Sequence, residues 1–470
     1  VDLNTAFDSG GISNLSDQDV TLTDTSLTAS VLNALDDNTT GSIDANTVNT
    51  LSGAAVDLNT AFDSGGISNL SDQDVTLTDT SLTASVLNAL NGNTTGSIDA
   101  SAVTTLTGSA AELIEAVTSD GITGLGDEAI TVDSGTATTA QANDLADETS
   151  GIVTATIAEG DLATLSGLTG TGNAYAITIS DTAVNAAILN AINNKTINDI
   201  NGQNIIQIEG TAEDIATAYT AGGINGLGDE EIIFTASNIN ASDLIAIDSA
   251  NSQVIDASTL TTLTGTATEL NTAFSSAEIT GLGNEDVTLS DTTLDVSILN
   301  TLGDKTSGTI DASAITTLTG AAADLNDAYA AAGLSTTPLD GAALNNSLIP
   351  VGITGLGNED IILSDTTLDA AILNILDGNT TGTIDASSIA TLTGLAAEIH
   401  SAFASPGISG LRDQDIILSD NTLDATDINA LKSKTTGSID ASSITALTGS
   451  ATDLIEAVTS NGITGLGDEA

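Results

Sequence analysis

The chain repeats itself along its whole length. Residues 1–55 and 56–110 align without a gap and differ at only seven positions, all of them after Leu35. Segments this similar cannot form one irregular core, because each must bury its apolar face against copies of itself. The repetition therefore predicts a stack of similar units.

A short landmark marks each unit. Six copies carry the triplet Ile-Asp-Ala, and two degenerate copies keep only an Ile that lies eight residues before a Leu or Ile. Successive landmarks are 55, 59, 43, 55, 55, 74 and 55 residues apart. Because this offset is constant, we expect the landmark isoleucines to form a buried ladder. They are Ile43, Ile98, Ile157, Ile200, Ile255, Ile310, Ile384 and Ile439.

Each unit alternates predicted strands and helices. Residues 286–291, "DVTLSD", alternate apolar and polar side chains, as a half-buried strand does. Apolar residues at helical spacing predict a helix over 293–306, with Asp295 as its N-cap and Gly303 as its stop signal. Residues 308–313, "GTIDAS", predict a second short strand.

A second predicted helix follows, and in one unit it is entered through a capping box of Thr266 and Glu269. Short strands that alternate with helices imply parallel strands joined by helical crossovers. We therefore predict an α/β solenoid of about eight stacked units of ~55 residues, each strand–helix–strand–helix. A β-solenoid is the alternative, if "SILNTL" and "DLNTAF" are coil instead of helix.

We expect one continuous solenoid over residues 1–470, with a protruding loop inserted at 333–351 that holds two of the three prolines. The chain opens in mid-pattern, which predicts that it is an internal piece of a longer array. Its partners would then be further repeats of the same protein in homotypic filament contacts.

Charge excludes several functions. Asp and Glu number 64 against 5 Lys and Arg, for a net charge of −59, so the chain lacks the cations that nucleic acid binding needs. No run of about 18 apolar residues predicts a membrane span. With no Cys and one His, thiolate and imidazole metal sites are excluded. Near-identical units leave no singular catalytic constellation, so we predict that the protein is not an enzyme.

Two recurring sets of aspartates are the candidate metal ligands, and calcium is the only cofactor that we predict. Ca²⁺ takes carboxylate and carbonyl oxygens, and the loop "GLGNED" approaches the G-x-G-x-D calcium turn, although its spacing is one residue too long. The acidic-loop set is Asp19, Asp74, Asp286, Asp360 and Asp415, and the strand-end set is Asp24, Asp79, Asp291, Asp365 and Asp420.

A competing interpretation gives the strand-end aspartates, and a third set in the Ile-Asp-Ala triplets, a structural role. In this interpretation each carboxylate caps the helix or turn that follows it by accepting backbone N–H bonds. One further position carries an aromatic residue in most units, as either a core ladder between units or a stacking platform for sugars. It is occupied by Phe7, Phe62, Tyr219, Phe274, Tyr329 and Phe403, with Val117 and Val458 in the other two units.

Segments 279–320 and 153–196 resemble repeats of giant cell-surface proteins of marine unicellular cyanobacteria, of the swimming-motility type, and more broadly those of large repetitive bacterial adhesins. The resemblance implies an extracellular, filamentous protein at the cell surface and carries over no catalytic residue. We therefore predict a structural protein that forms a fibre, stalk or surface layer. The alternative is an adhesin that contacts a glycan or another surface through its repeat face or the 333–351 insertion.

Overall fold

Short strands and short helices alternate through the computed structural model, which describes residues 2–8, 12–334 and 352–467. Residues 1–209 and 217–230 form one compact unit, and residues 210–216 and 231–470 form a second. The predicted insertion at 333–351 lies, apart from Gly333 and Leu334, outside the described residues.

The helices are short and amphipathic. Each buries a narrow stripe with a three-residue spacing, as α12 does with Val296, Leu299 and Leu302. The described helices are α1 Asp2–Asp8, α2 Ala29–Asn38, α3 Ala55–Asp63, α4 Ala84–Asn93, α5 Ala110–Val117, α6 Thr139–Glu148, α7 Leu162–Leu165, α8 Ala186–Asn193, α9 Ala212–Thr220, α10 Ala241–Ala250, α11 Ala267–Ser275, α12 Val296–Gly303, α13 Ala322–Ala331, α14 Ala370–Asn379, α15 Ala396–Ala404, α16 Ala425–Lys432 and α17 Ala451–Thr459.

The strands are two to six residues long. Up to Asn225 they are β1 Val20–Thr21, β2 Ser26–Thr28, β3 Ile43–Asp44, β4 Thr50–Gly53, β5 Ile67–Ser68, β6 Asp74–Leu77, β7 Ser81–Thr83, β8 Ile98–Asp99, β9 Thr105–Ser109, β10 Ile122–Thr123, β11 Ala129–Ser134, β12 Val153–Thr156, β13 Ala174–Ala176, β14 Ala183–Asn185, β15 Ile200–Asn201, β16 Gln207–Gly210 and β17 Ile224–Asn225.

The remaining strands are β18 Glu231–Phe234, β19 Asn238–Asn240, β20 Ile255–Asp256, β21 Thr262–Gly265, β22 Ile279–Thr280, β23 Asp286–Leu289, β24 Thr293–Asp295, β25 Ile310–Asp311, β26 Thr317–Gly320, β27 Ile353–Thr354, β28 Asp360–Leu363, β29 Thr367–Asp369, β30 Ile384–Asp385, β31 Thr391–Gly394, β32 Ile408–Ser409, β33 Asp415–Leu418, β34 Thr422–Asp424, β35 Ile439–Asp440, β36 Ala446–Thr448 and β37 Ile463–Thr464. Their residues alternate between buried and exposed, as in β23.

Strands pair in parallel, each with a segment one fixed step away in sequence. In the first unit β2, β4, β6, β8 and β10 form one sheet, and Leu27 lies opposite Leu51, Leu51 opposite Val75, and Val75 opposite Ile98. In the second unit β19, β21, β23, β25 and β27 repeat the arrangement. The step is 24 residues from Leu27 to Leu51 and 23 from Val75 to Ile98. One 55-residue repeat therefore spans slightly more than two steps.

Parallel strands and α/β repetition are confirmed, and the landmark isoleucines are all buried, at 0–6% exposure. The helix alternative is also decided, because "SILNTL" lies in α12 and "DLNTAF" in α1 and α3. The prediction of two strands per unit was wrong. The stretch from Ile279 to Ala331 contains five strands, because segments such as Thr293–Asp295 that continue the helical pattern pair as strands.

We predict that Ile310→Ala lowers the free energy of unfolding by about 2–5 kcal/mol, because it opens a cavity between β23 and β27. The matched control is Ile362→Thr, since Ile362 is 46% exposed and Thr288 stands at the same place in β23. The control should change stability by no more than about 0.5 kcal/mol. Urea unfolding followed by circular dichroism measures both, and equal losses would refute a buried ladder.

Candidate functional site

The acidic-loop aspartates bond to the strand segment one step further along the chain. Asp286 Oδ1 accepts from the backbone N–H of Thr309 at 2.8 Å and from its hydroxyl at 2.7 Å. Asp360 makes the same pair of bonds with Thr383, at 2.7 and 2.9 Å. Asp19 and Asp415 do so with Ser42 and Ser438, and Asp74 accepts from the backbone of Ser97.

These bonds favour the charged form of the carboxylate. The backbone N–H of Thr309, and then its hydroxyl, lower the pKa of Asp286 below its ordinary value. The corresponding Ser and Thr donors lower the pKa of Asp19, Asp360 and Asp415 in the same way. The acidic loop is therefore a ladder of ionised clamps between adjacent strand segments.

The strand-end aspartates cap helices, but not the helices that follow them. Asp291 accepts at 2.7 Å from the backbone N–H of Ala267, the first residue of α11, which lies 24 residues earlier. Asp79, Asp365 and Asp420 make the same bond at 2.8 Å to the first residues of α3, α13 and α15. The capping interpretation had the right chemistry and the wrong helix, because the step between layers places each strand end over the preceding helix.

The aspartates of the Ile-Asp-Ala triplets cap the turns that follow them, as one interpretation predicted. Asp311 accepts from the backbone N–H of Ser313 at 3.0 Å, and Asp385 from that of Ser387 at 3.0 Å. Bonds to the serine side chain and backbone lower the pKa of both carboxyls. Two predicted N-terminal signals are also confirmed, since Asp295 caps α12 and Thr266 forms a capping box with Glu269.

Sequence reasoning missed a buried position in the acidic loop, which lies one residue before each clamp aspartate. We call it the buried loop position, and its side chains are at most 2% exposed. One side-chain oxygen accepts from two backbone N–H groups of its own loop, as Glu285 Oε2 does from Gly283 and Asn284. The signal was present as a polar residue fixed between two exposed acids. The described residues at this position include Gln73, Glu128, Glu230, Glu285, Glu359 and Gln414.

A second missed feature links the helices. Asn300, in the middle of α12, donates from Nδ2 to the carbonyl oxygen of Asp324 in the first turn of α13, at 2.9 Å. Asn33, Asn88, Asn374 and Asn429 make equivalent bonds at 2.9 Å to the first turn of the next helix. An asparagine inside a helix is intrinsically unfavourable, and that local cost was the available signal.

The aromatic position lies close to the buried loop position. Tyr329 is fully buried and its hydroxyl donates to Glu359, while the Tyr219 hydroxyl donates to Glu230 at 2.6 Å. Burial and the glutamate bond raise the pKa of both tyrosines. Phe62, Phe274 and Phe403 are half-buried. These residues contribute to the core, as the core-ladder interpretation expected.

No group of three or more His, Cys, Asp or Glu side chains within residues 2–8, 12–334 and 352–467 is arranged to hold a metal ion. Asp24 is exposed, and the other candidate ligands accept the protein bonds given above. Calcium at these aspartates stays a prediction.

Comparison with known protein families gives no matching family model, and no similar protein is found among the curated ones. In the part of the chain that the structure describes, no helix has the length and apolarity to cross a membrane.

We predict that Asp291→Ala lowers the free energy of unfolding by about 0.5–2 kcal/mol, since the N-terminus of α11 loses its acceptor. Asp291→Asn keeps an oxygen acceptor and should cost less. Asp304→Ala is the control, because this exposed acid follows the C-terminus of α12 and its removal should be neutral or slightly stabilising. Denaturant titration compares the three, and the capping assignment fails if Asp291→Ala and Asp304→Ala behave alike.

We also predict loss of stability in acid. A carboxyl whose pKa is lower in the folded state stabilises the fold above its unfolded value, 3.8 for Asp, and this contribution disappears as the pH falls through the folded-state pKa. The double variant Thr309→Val, Thr383→Val removes a hydroxyl donor from two clamps, so its unfolding midpoint should fall less than that of the wild type between about pH 5 and about pH 3. Thr288→Val, an exposed change, is the control. Identical pH profiles for wild type and double variant would contradict the clamp.

Proposed function

We propose that this chain is a segment of an α/β solenoid that serves as a structural part of an extracellular fibre, stalk or cell-surface layer. The observation that carries the proposal is the constant register step of about 24 residues, which recurs within each compact unit. A fold that adds one equivalent layer per step has no intrinsic size limit. Repetition then provides reach, which is what a surface fibre needs.

The contacts across each step support a mechanical role. Besides strand hydrogen bonds, a layer is joined to its neighbour by an aspartate clamp, an aspartate helix cap and an asparagine link between helices. These three bonds lie on different elements of the layer, so a displacement along any one of them strains the others. Such a layer resists shear better than one held by apolar packing alone.

The charge supports an extracellular location in salt. A net charge of −59 repels other copies and keeps a long filament dispersed, while a marine ionic strength would shorten the Debye length to several ångströms and reduce repulsion between layers. The resemblance to giant cyanobacterial surface proteins points to the same place.

An adhesin is the second candidate, because one surface departs from the repeat. Helix α7 has four residues where its neighbours have eight to ten, and a hollow of about 230 Å³ opens between it and α8. Leu165, Ile188 and Ile192 line the hollow, with Lys195 beside them. An adhesin should show glycan-array binding that Ile188→Asp abolishes, and a wild-type chain that binds no glycan would remove this candidate.

For the structural proposal, we predict an elongated particle in small-angle X-ray scattering. A solenoid through all 470 residues would measure on the order of 90 Å along its axis, from about 4.8 Å per layer. A radius of gyration of about 23 Å, the value for a globular chain of this length, would overturn the proposal. Labelling of intact source cells with an antibody against the chain tests the location, and signal only after lysis would rule out the cell surface.

A further inference from the structure

Two positions of the repeat form a matched pair, the aromatic position and the buried loop position. Where both are described, they occur in three combinations. Phe pairs with Gln, Tyr pairs with Glu, and two units combine Glu with a residue that has no hydroxyl. The pairs are Phe62–Gln73 and Phe403–Gln414, then Tyr219–Glu230 and Tyr329–Glu359, then Phe274–Glu285 and Val117–Glu128.

In the Phe–Gln units the amide nitrogen satisfies two buried carbonyl groups. Gln414 Nε2 donates to the carbonyl oxygens of Ile389 at 3.1 Å and Gly410 at 3.0 Å. Gln73 Nε2 donates to the equivalent carbonyls of Val48 and Asn69, at 3.2 and 3.1 Å. The positive end of the amide dipole therefore lies between oxygens of two adjacent layers.

In the Tyr–Glu units a hydroxyl provides the positive group. The amide nitrogen is replaced by a carboxylate oxygen, which can only accept, and the tyrosine hydroxyl donates to the carboxylate. Each of these two combinations thus supplies its own donor to the buried side chain.

The third combination supplies none. Oε2 of Glu285 accepts from Gly283 and Asn284, as the glutamine oxygen does in its own loop, so Oε1 occupies the place of the glutamine nitrogen. Among the described residues, Oε1 of Glu285 and Oε1 of Glu128 are buried and have no hydrogen-bond partner. Both side chains are 0% exposed. A buried carboxylate oxygen without a partner is costly, so something positive has to offset it.

We propose that Glu128 and Glu285 each bind one small, hard cation. In the Glu285 unit the ligands would be Oε1 and the two carbonyl oxygens equivalent to those that glutamine contacts, which belong to Leu260 and Gly281. In the Glu128 unit the carbonyls are those of Val103 and Gly124. These sites differ from the exposed aspartates of the acidic loop, whose oxygens already accept protein donors.

The surroundings specify the class of ligand. Only oxygen atoms converge, which selects alkali and alkaline-earth ions over softer metals. Room is available because Phe274 lacks the hydroxyl that Tyr329 places against its glutamate, and Val117 lacks the ring as well. Na⁺ and Ca²⁺ share this chemistry and are separated by experiment.

The test is cation content and stability of the full 470-residue chain, measured by equilibrium dialysis against radioactive Na⁺ or Ca²⁺ and by thermal unfolding in each salt at fixed ionic strength. Relative to wild type, Glu285→Gln should lose one bound cation and the double variant with Glu128→Gln should lose two. Both variants should unfold at a midpoint independent of the cation. Each creates a glutamine loop that other units already contain, so folding is preserved.

Two further variants sharpen the test. Phe274→Tyr should displace one cation by supplying the hydroxyl found in the Tyr–Glu units. Glu359→Gln is the matched control and should leave the cation content unchanged, since the Tyr329 hydroxyl already serves that glutamate. Equal cation content in wild type and double variant would overturn the proposal. So would a wild-type midpoint that ignores both ions and rises on mild acidification, which would show that a proton occupies the site instead.

Discussion

The structure depends on parallel, in-register pairing between segments about 24 residues apart. This pairing places an apolar side chain above its equivalent in each layer, so Ile239, Leu263, Val287, Ile310 and Ile353 form one buried column. A slip of one residue would turn every member of the column to the outside. Register is therefore specified by burial, and short strands suffice because each is held on both sides.

The same register determines what the polar residues can do. A carboxylate at the end of one strand lies over the first turn of the helix in the preceding layer, where unpaired N–H groups need an acceptor. An aspartate at the start of a strand lies beside the Ser or Thr of the following layer. Capping and clamping thus follow from translation of one layer onto the next. Local sequence alone would assign each aspartate to its own turn.

This explains which features could be predicted from sequence. The buried isoleucines, the parallel strands and the N-caps at Asp295 and Thr266 follow from periodicity and local chemistry, which one segment shows by itself. The helix partners of Asp79 and Asp291 do not, because they depend on a step of 24 residues inside a sequence repeat of 55. Thr293–Asp295 was predicted as helix for the same reason, since its strand pairing is with Thr317–Thr319 in another layer.

The step also explains how a chain with 64 acidic residues against 5 basic ones can pack closely. Many of its carboxylates face backbone N–H groups and hydroxyls of an adjacent layer, and these fixed dipoles do locally what basic side chains do in other proteins. The helix caps add a favourable interaction with the helix dipole, which needs no counter-charge. The compensation is complete wherever a layer can offer a donor. It fails only when the acceptor is buried and the neighbouring position has lost its hydroxyl, and this is the situation of Glu128 and Glu285.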